Sequence, residues 1–262
     1  MKINSKDTNN FKVCVVGSGR AAHFFAHRIN HTSAAFELVG IVSRNMNMVS
    51  ESLFPFSIYD YSCIPEADIF ILAVPDDCIR TIAKQIPYAG ALFLHCSGAQ
   101  ELIINTEQKH QGVLYPLLSL NFQMEFASNV PLFTETNSEY HKPILNQLAK
   151  QLSTNVQELT SEKRLNVHLC AVISQNFSNH LWHIAQDICV RRNLDFKWFK
   201  PLLEQGLSQA LSQNANETQT GPAVRKDRNT IEKHLKLLSN SKWKDIYKHL
   251  NQSIIDTYEE KL

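Results

Sequence analysis

Residues 12–29 constrain this chain more than any other stretch. The apolar run Val13-Cys14-Val15-Val16 reads as a short strand buried on both faces. It runs into Gly17-Ser18-Gly19-Arg20-Ala21-Ala22, a G-x-G-x-x-A turn. Apolar residues then fall at Ala22, Phe25, Ala26 and Ile29, the i, i+3, i+4, i+7 stripe of an amphipathic helix. Strand, small-residue turn and helix, in that order, are the setting in which such a turn binds a dinucleotide. Gly17 permits the tight exit from the strand. Gly19 leaves its backbone bare for a pyrophosphate, and Ala22 lets helix and strand pack closely. The free N–H groups and positive dipole end of the helix then face the phosphates. An ordinary tight strand-to-helix connection is the competing account of the same small residues. The flanking pattern favours the ligand.

The rest of the composition narrows the class. A chain of 262 residues, 44% hydrophobic and 19% charged, can build one large domain or two modest ones with a real core. A formal net charge of +1 argues against nucleic acid as the main partner. No apolar run approaches the ~18–20 residues of a membrane span. Residues 1–10 are polar and lack the apolar core of a secretory signal. The six cysteines, at 14, 63, 78, 96, 170 and 189, show no paired spacing. Free thiols in a reducing cytoplasm are the simplest account, with no disulfide framework and no metal site.

Residues 36–42 read as the second strand. An NAD-type site carries an acidic residue at the end of this strand for the ribose 2′-hydroxyl. Here the strand ends in Ser43-Arg44, and Glu37 sits at its wrong end. A hydroxyl and a guanidinium suit a 2′-phosphate, so NADP is the expected cofactor. A solvated surface arginine is the plainer alternative for Arg44. Residues 45–64 suggest a short helix and a weak strand. Residues 67–74 are a clear buried strand ending in Val74-Pro75-Asp76-Asp77. A helical pattern follows through Ile79, Ile82, Ala83 and Ile86, with Asp76 or Asp77 placed to cap it. Residues 91–95 form the next strand, ending in Cys96-Ser97-Gly98. Val74, Pro75, Asp76, Ser97 and Gly98 therefore mark the cofactor edge, because ligands bind beyond the carboxyl ends of parallel strands. Further strands are expected over 112–117, 130–134 and 156–160, a loop over 118–129, and a helix over 138–152.

About eight strands alternating with helices describe an α/β Rossmann domain, a doubly wound and mostly parallel sheet, over residues 11–160. From Ser161 the period changes. Leu165, Leu169, Val172, Ile173, Phe177, Leu181, Ile184, Ala185 and Ile188 recur at helical spacing. A helix of roughly thirty residues would be about 45 Å long. Helices near 198–212, 229–238 and 242–258 follow, so residues 161–262 form an all-α domain.

A Rossmann half followed by a long helix and an all-α half resembles the 6-phosphogluconate-dehydrogenase-like superfamily, which includes pyrroline-5-carboxylate reductase and ketopantoate reductase. The strand end Ala73-Val-Pro-Asp76 resembles the corresponding element there. Four stretches resemble more narrowly an uncharacterised family of NADP oxidoreductases. They are His95-Cys-Ser-Gly98, Leu114-Tyr-Pro-Leu117, residues 168–180, and Thr220-Gly-Pro-Ala-Val-Arg-Lys-Asp227 with Thr230 and His234-Leu235. The likeness spans nearly the whole chain past residue 11. It implies the two-domain fold, NADP as cofactor and a homodimer through the C-terminal helices, but names no substrate. One position departs. Several dehydrogenases of the superfamily carry a lysine on the long helix one turn before an asparagine. Aligned on Asn176, that lysine position holds Val172.

A nicotinamide cofactor brings the hydride, and the protein positions the substrate and manages one proton. Asn176 and His180 are i, i+4 on the long helix, with Asn179 and His183 on neighbouring positions. Histidine can donate a proton to a developing alkoxide or amine, and asparagine can hold a carbonyl. Asn176 and His180 are thus the expected catalytic residues. The same residues could equally be bonded within a domain or subunit interface. Asn179, Tyr115 and Arg225 are expected to touch substrate, Arg225 through a bidentate clamp on a carboxylate or phosphate. Asp227 reads foremost as the cap of the following helix. His95 and His168 are weaker candidates. The expected activity is hydride transfer between NADP(H) and a small carbonyl or imine compound. The alternative is a non-catalytic NADP-binding sensor or assembly protein on the same fold.

Overall fold

The computed structural model describes residues 10–32, 35–43, 57–58, 63–88, 90–102, 110–119, 127–239 and 241–258. The chain divides into two compact units, residues 1–176 and 177–262.

The first unit is built on an eight-stranded sheet ordered β3-β2-β1-β4-β5-β6-β7-β8. In chain order the strands are β1 Phe11–Val16, β2 Phe36–Val42, β3 Ser57–Ile58, β4 Ile69–Leu72, β5 Leu92–His95, β6 His110–Pro116, β7 Leu132–Thr136 and β8 Val156–Glu158. The first six follow the 3-2-1-4-5-6 order of a doubly wound dinucleotide fold. Strands β7 and β8 run opposite to the other six: β7 pairs antiparallel with β6 and parallel with β8.

The period-2 geometry of β1 splits its apolar run between two cores. Val13 and Val15 face helices α1 (Arg20–Thr32) and α3 (Lys142–Leu152), through Phe25, Ala26, Ile29, Leu145 and Leu148. Cys14 and Val16 face α2 (Ile79–Gln85), through Ile79, Ile82 and Ala83. Covered on both faces, strands of this kind need no alternation in sequence, so Val13–Val16 and Ile69–Leu72 are unbroken apolar runs. Burial pushes the Cys14 thiol up to about 12, and it packs as a small apolar group.

Helix α2 starts differently from expectation. A single 3-10 turn, Asp76–Cys78, precedes it, and no side chain caps either element. The Asp76 carboxylate instead accepts a hydrogen bond from Ser97 Oγ at 2.8 Å. That contact ties together the loops after β4 and β5.

After β8 the backbone is helical from Ser161 to Arg191, as α4 (Ser161–Ala171), a π-helical segment (Val172–Phe177) and α5 (Ser178–Arg191). The boundary between the two units falls inside the π segment. Such wide turns insert one residue into the helical ladder and concentrate at functional sites.

The second unit contains α5, α6 (Lys200–Ser212), α7 (Ala215–Thr218), α8 (Arg228–Leu237) and α9 (Lys244–Tyr258). Asp227 caps α8, accepting from the Thr230 backbone N–H at 3.0 Å and from the Thr230 hydroxyl at 2.7 Å. Trp243 Nε1 donates to Asp187 of α5 at 2.7 Å. His234 and Tyr247 hydrogen-bond between α8 and α9 at 2.7 Å. Apolar packing here is sparse. Among the described residues of this unit, Cys189, Ala223, Leu238 and Trp243 are the buried ones.

Candidate functional site

A cleft of about 1590 Å³ opens in the first unit at the carboxyl ends of β1, β2, β4, β5 and β6, and α4 with most of the π segment forms its other wall. That is larger than a typical drug-sized pocket and suits a dinucleotide with a small second molecule.

The phosphate end is set by the turn after β1. Gly17 has φ +132°, and a Cβ there would stand 2.2 Å from the Ala73 carbonyl oxygen, so no other residue fits. Its N–H donates to the Val42 carbonyl at 2.8 Å, which fixes the turn against β2. Ser18, Gly19, Arg20 and Ala21 line the cleft at the start of α1. A Cβ on Gly19 would meet nothing within 4 Å. The glycine therefore faces open space rather than protein, as a pyrophosphate-approach position requires. Ala22 is buried in the core shared by β1 and α1. Ser43 is buried and lines the cleft at the end of β2. Arg44, the expected partner of a 2′-phosphate, lies outside the described residues.

Val74, Pro75 and Asp76 line the cleft after β4, and Ser97 after β5. The Ser97 hydroxyl is fully engaged. It donates to Asp76 and accepts from the backbone N–H groups of Ala99 and Gln100, both at 3.0 Å. Gly98 is buried behind this turn.

His95 is almost fully buried. Its Nδ1 accepts from the Ser97 N–H at 3.2 Å, which leaves the proton on Nε2, 3.1 Å from the Glu101 carbonyl. Burial, helped by the Arg164 charge, pushes this imidazole down to about 4 against the opposing pull of Glu101, Asp76 and Glu135. It is a neutral structural histidine. Its folded value lies below the ~6.5 of an unfolded chain, so the unfolded state binds the extra proton on acidification. The stability this supplies is complete above about pH 6.5 and is lost as pH falls towards 4, a loss of about 3 kcal/mol. Denaturant midpoints between pH 7 and 4.5 check this. The wild type should weaken more steeply than His95→Gln, which has no titrating ring, and parallel curves would contradict the assignment.

The wall formed by α4 is locked to the sheet by one buried cation. Arg164, 1% exposed, donates to the Glu135 carboxylate on β7 and to the Gln100 carbonyl. Glu135 also accepts from the Ser161 N–H at 3.0 Å and the Ser161 hydroxyl at 2.8 Å, at the first turn of α4. An acidic group there also complements the helix dipole.

Tyr115, at the end of β6, and His168, on α4, both line the cleft, with Tyr115 Oη and His168 Nδ1 3.2 Å apart. The two rings meet edge to face, 6.1 Å between centroids. Burial raises the Tyr115 phenol above its usual value, with Arg164 opposing. The sequence offers Tyr115 and His168 as separate candidates, and their contact is what it does not show. Val172, at the position of the superfamily lysine, lines the cleft as an apolar residue, and Asn176 is exposed on its rim.

The other expected site residues belong to the second unit. His180 is exposed and lies edge-on to Trp243 at 5.6 Å, with His183 6.1 Å away. Asn179 is exposed beside it on α5. Arg225 is exposed in the turn before α8.

Comparison with known proteins fits this architecture. A domain of unknown function, DUF2520, matches residues 130–254. A Bacteroides fragilis protein described as a "putative NADP oxidoreductase" superposes with a TM-score of 0.88 at 26% identity, covering 95% of this chain and 100% of that one. The chain is thus similar over nearly its whole length to a protein so described, as its motifs led one to expect. No curated protein sequence matches it. At the level of fold, two further structures are similar. Plasmodium falciparum pyrroline carboxylate reductase with NADP bound has a TM-score of 0.57 at 13% identity, over 95% of this chain and 98% of that one. A Myxococcus stipitatus imine reductase variant in complex with NAD+ has a TM-score of 0.56 at 11% identity, over 96% and 94%. The fold shared with these structures is a Rossmann sheet followed by a helical C-terminal part. Among the described residues, no helix is long and apolar enough to cross a membrane.

Proposed function

We propose that this chain is an NADP-dependent oxidoreductase that transfers a hydride between NADP(H) and a small carbonyl or imine metabolite. The observation that carries the reading is the turn from Gly17 to Ala21, which lines a cleft and leaves open space at Gly19. The names of the similar proteins support it: an NADP oxidoreductase, an NADP-bound reductase of a cyclic imine acid and an imine reductase. NADPH, when bound, supplies the hydride. The backbone of residues 17–21 would hold its phosphates, and Ser43 with Arg44 its 2′-phosphate. Pro75 and Ser97 would flank the nicotinamide. Asn176 would offer its amide to the substrate oxygen or nitrogen. Asn179, His180 and Arg225 enter the reading as variants to compare with Asn176.

Stopped-flow mixing of the protein and NADPH with a panel of small ketones, α-keto acids and cyclic imines tests it directly. Loss of nicotinamide absorbance with at least one class is expected. Tight NADPH binding with no transfer across the panel would return the chain to the non-catalytic sensor reading.

The second unit is proposed to complete its core against a second copy of the chain. Four buried residues do not make a helical core, while Val190, Trp198, Leu202, Leu207 and Leu211 are each more than 60% exposed. Apolar faces of that extent are rare on a monomer. Light scattering at micromolar concentration should report a dimer, and a monomer there would contradict this.

A further inference from the structure

We propose that His168 is the proton donor of the cleft, oriented by Tyr115 and given its space by Gly98. The proposal rests on the oxidoreductase reading and names the group that completes its chemistry.

Three observations converge. His168 and Tyr115 both face the cleft, from α4 and from the end of β6, and their hydrogen bond fixes the ring through Nδ1. Among the described residues no other hydrogen bond to the His168 ring is found, so Nε2 remains for a ligand. Gly98 supplies the third, independent observation. A Cβ at that position would stand 2.7 Å from His168 Nδ1 and 2.9 Å from Tyr115 Cζ. Any side chain there pushes the pair apart.

The partner is suited to a group that must titrate. A phenol hydroxyl both donates and accepts. It donates to Nδ1 of the neutral imidazole and accepts from Nδ1–H of the imidazolium. The ring therefore keeps its orientation through a proton-transfer cycle. The bond made by Nδ1 also decides that the neutral ring carries its proton on Nε2.

Arg164, one turn earlier on α4, is committed to Glu135 and Gln100 and holds the helix rather than the substrate. Val172, one turn later, has no proton to give. His95, the other histidine at this strand edge, is held neutral and committed to the Ser97 and Glu101 backbone. Cys170 also lines this wall, and among its described residues His168 is the imidazole left to serve the cleft.

The balanced step is simple. The C=O or C=N carbon of the substrate gains the hydride from NADPH. Its oxygen or nitrogen gains the proton from His168 Nε2, and the imidazolium becomes imidazole. The products are the alcohol or amine and NADP+, and solvent returns the proton to His168. Tyr115 is a positioning residue in this scheme.

The experiment compares wild type, His168→Gln, Tyr115→Phe and Gly98→Ala, with ethyl pyruvate and 2-methyl-1-pyrroline as probes. NADPH affinity, measured first by fluorescence titration, should be the same in wild type, His168→Gln and Tyr115→Phe, and circular dichroism should show that all three variants are folded. Single-turnover hydride transfer should fall by about 10²–10⁴-fold in His168→Gln. It should fall less in Tyr115→Phe and Gly98→Ala. Nitrogen-detected NMR should show neutral wild-type His168 as the Nε2–H tautomer, and that preference should weaken in both positioning variants. A full chemical rate in His168→Gln overturns the proposal and passes proton delivery to His180 or water. An unchanged tautomer ratio in Tyr115→Phe overturns the positioning role. Tight NADPH binding with neither probe reduced by wild type overturns the donor role while leaving the cofactor site standing. Failure of wild type to bind NADPH overturns the underlying reading itself.

Discussion

Arg164→Ala should lose about 3 kcal/mol of stability or more, the largest single effect expected of a side chain that touches no ligand. The guanidinium is 1% exposed and pairs with Glu135, whose side chain is 17% exposed. Removing the cation strands a carboxylate in a poorly solvated site. Removing one member of a buried pair costs about 3–5 kcal/mol. The Ser161 N–H and hydroxyl still reach Glu135, which places the effect towards the lower end. The Gln100 carbonyl loses its partner as well. Urea denaturation of wild type, Arg164→Ala and the double variant Arg164→Met with Glu135→Leu checks the cause. The double variant should recover most of the loss, because two apolar groups leave no buried charge. A double variant as weak as the single one would show that packing, not charge, is at stake.

Gly19→Val should remove NADP(H) binding, by on the order of a hundredfold or more, while leaving the protein folded. Added carbon at Gly19 meets no protein atom, so the substitution fills space that the ligand needs. Gly17→Val makes the control. There the backbone φ is +132° and the Ala73 carbonyl is 2.2 Å from the new Cβ, so the turn itself fails. The two glycines of one motif thus separate: Gly17 is required by the fold, and Gly19 by the ligand. A folded Gly19→Val protein with wild-type affinity would make the turn structural only.

The sheet was legible because buried parallel strands leave unbroken apolar runs. Residues 13–16, 69–72 and 91–94 all stand out for that reason, and the G-x-G-x-x-A turn follows the first. The amphipathic stripe Ala22, Phe25, Ala26 and Ile29 faces β1 as its spacing requires. Strand direction was less legible. Nothing in residues 132–136 tells an antiparallel neighbour of β6 from a parallel one, since both bury the same side chains.

The site was legible only where it depends on backbone. Small residues and strand ends announce where phosphates lie. Side chains that meet across the fold do not announce one another. Tyr115 and His168 are 53 residues apart, in two separate stretches, 114–117 and 168–180, neither of which shows that the two rings meet. Gly98 looks like one more glycine at a strand end, and only the built structure shows which rings fill its space. Asp76 has the composition and position of a helix cap, yet Ser97 takes its carboxylate. Helical spacing predicts an unbroken α-helix through this stretch, whereas Val172–Phe177 is π-helical.

Titration of the wild-type protein with NADPH and with NADH tests the central claim most directly. One-site saturable binding is expected, with NADPH the tighter by roughly 10–100-fold, the worth of a charge-assisted contact of about 1.5–3 kcal/mol to the 2′-phosphate. Arg44→Ala should erase that difference and leave NADH almost untouched. Equal affinities in the wild type would remove the preference for NADP, and the absence of saturable binding by either nucleotide would contradict the account.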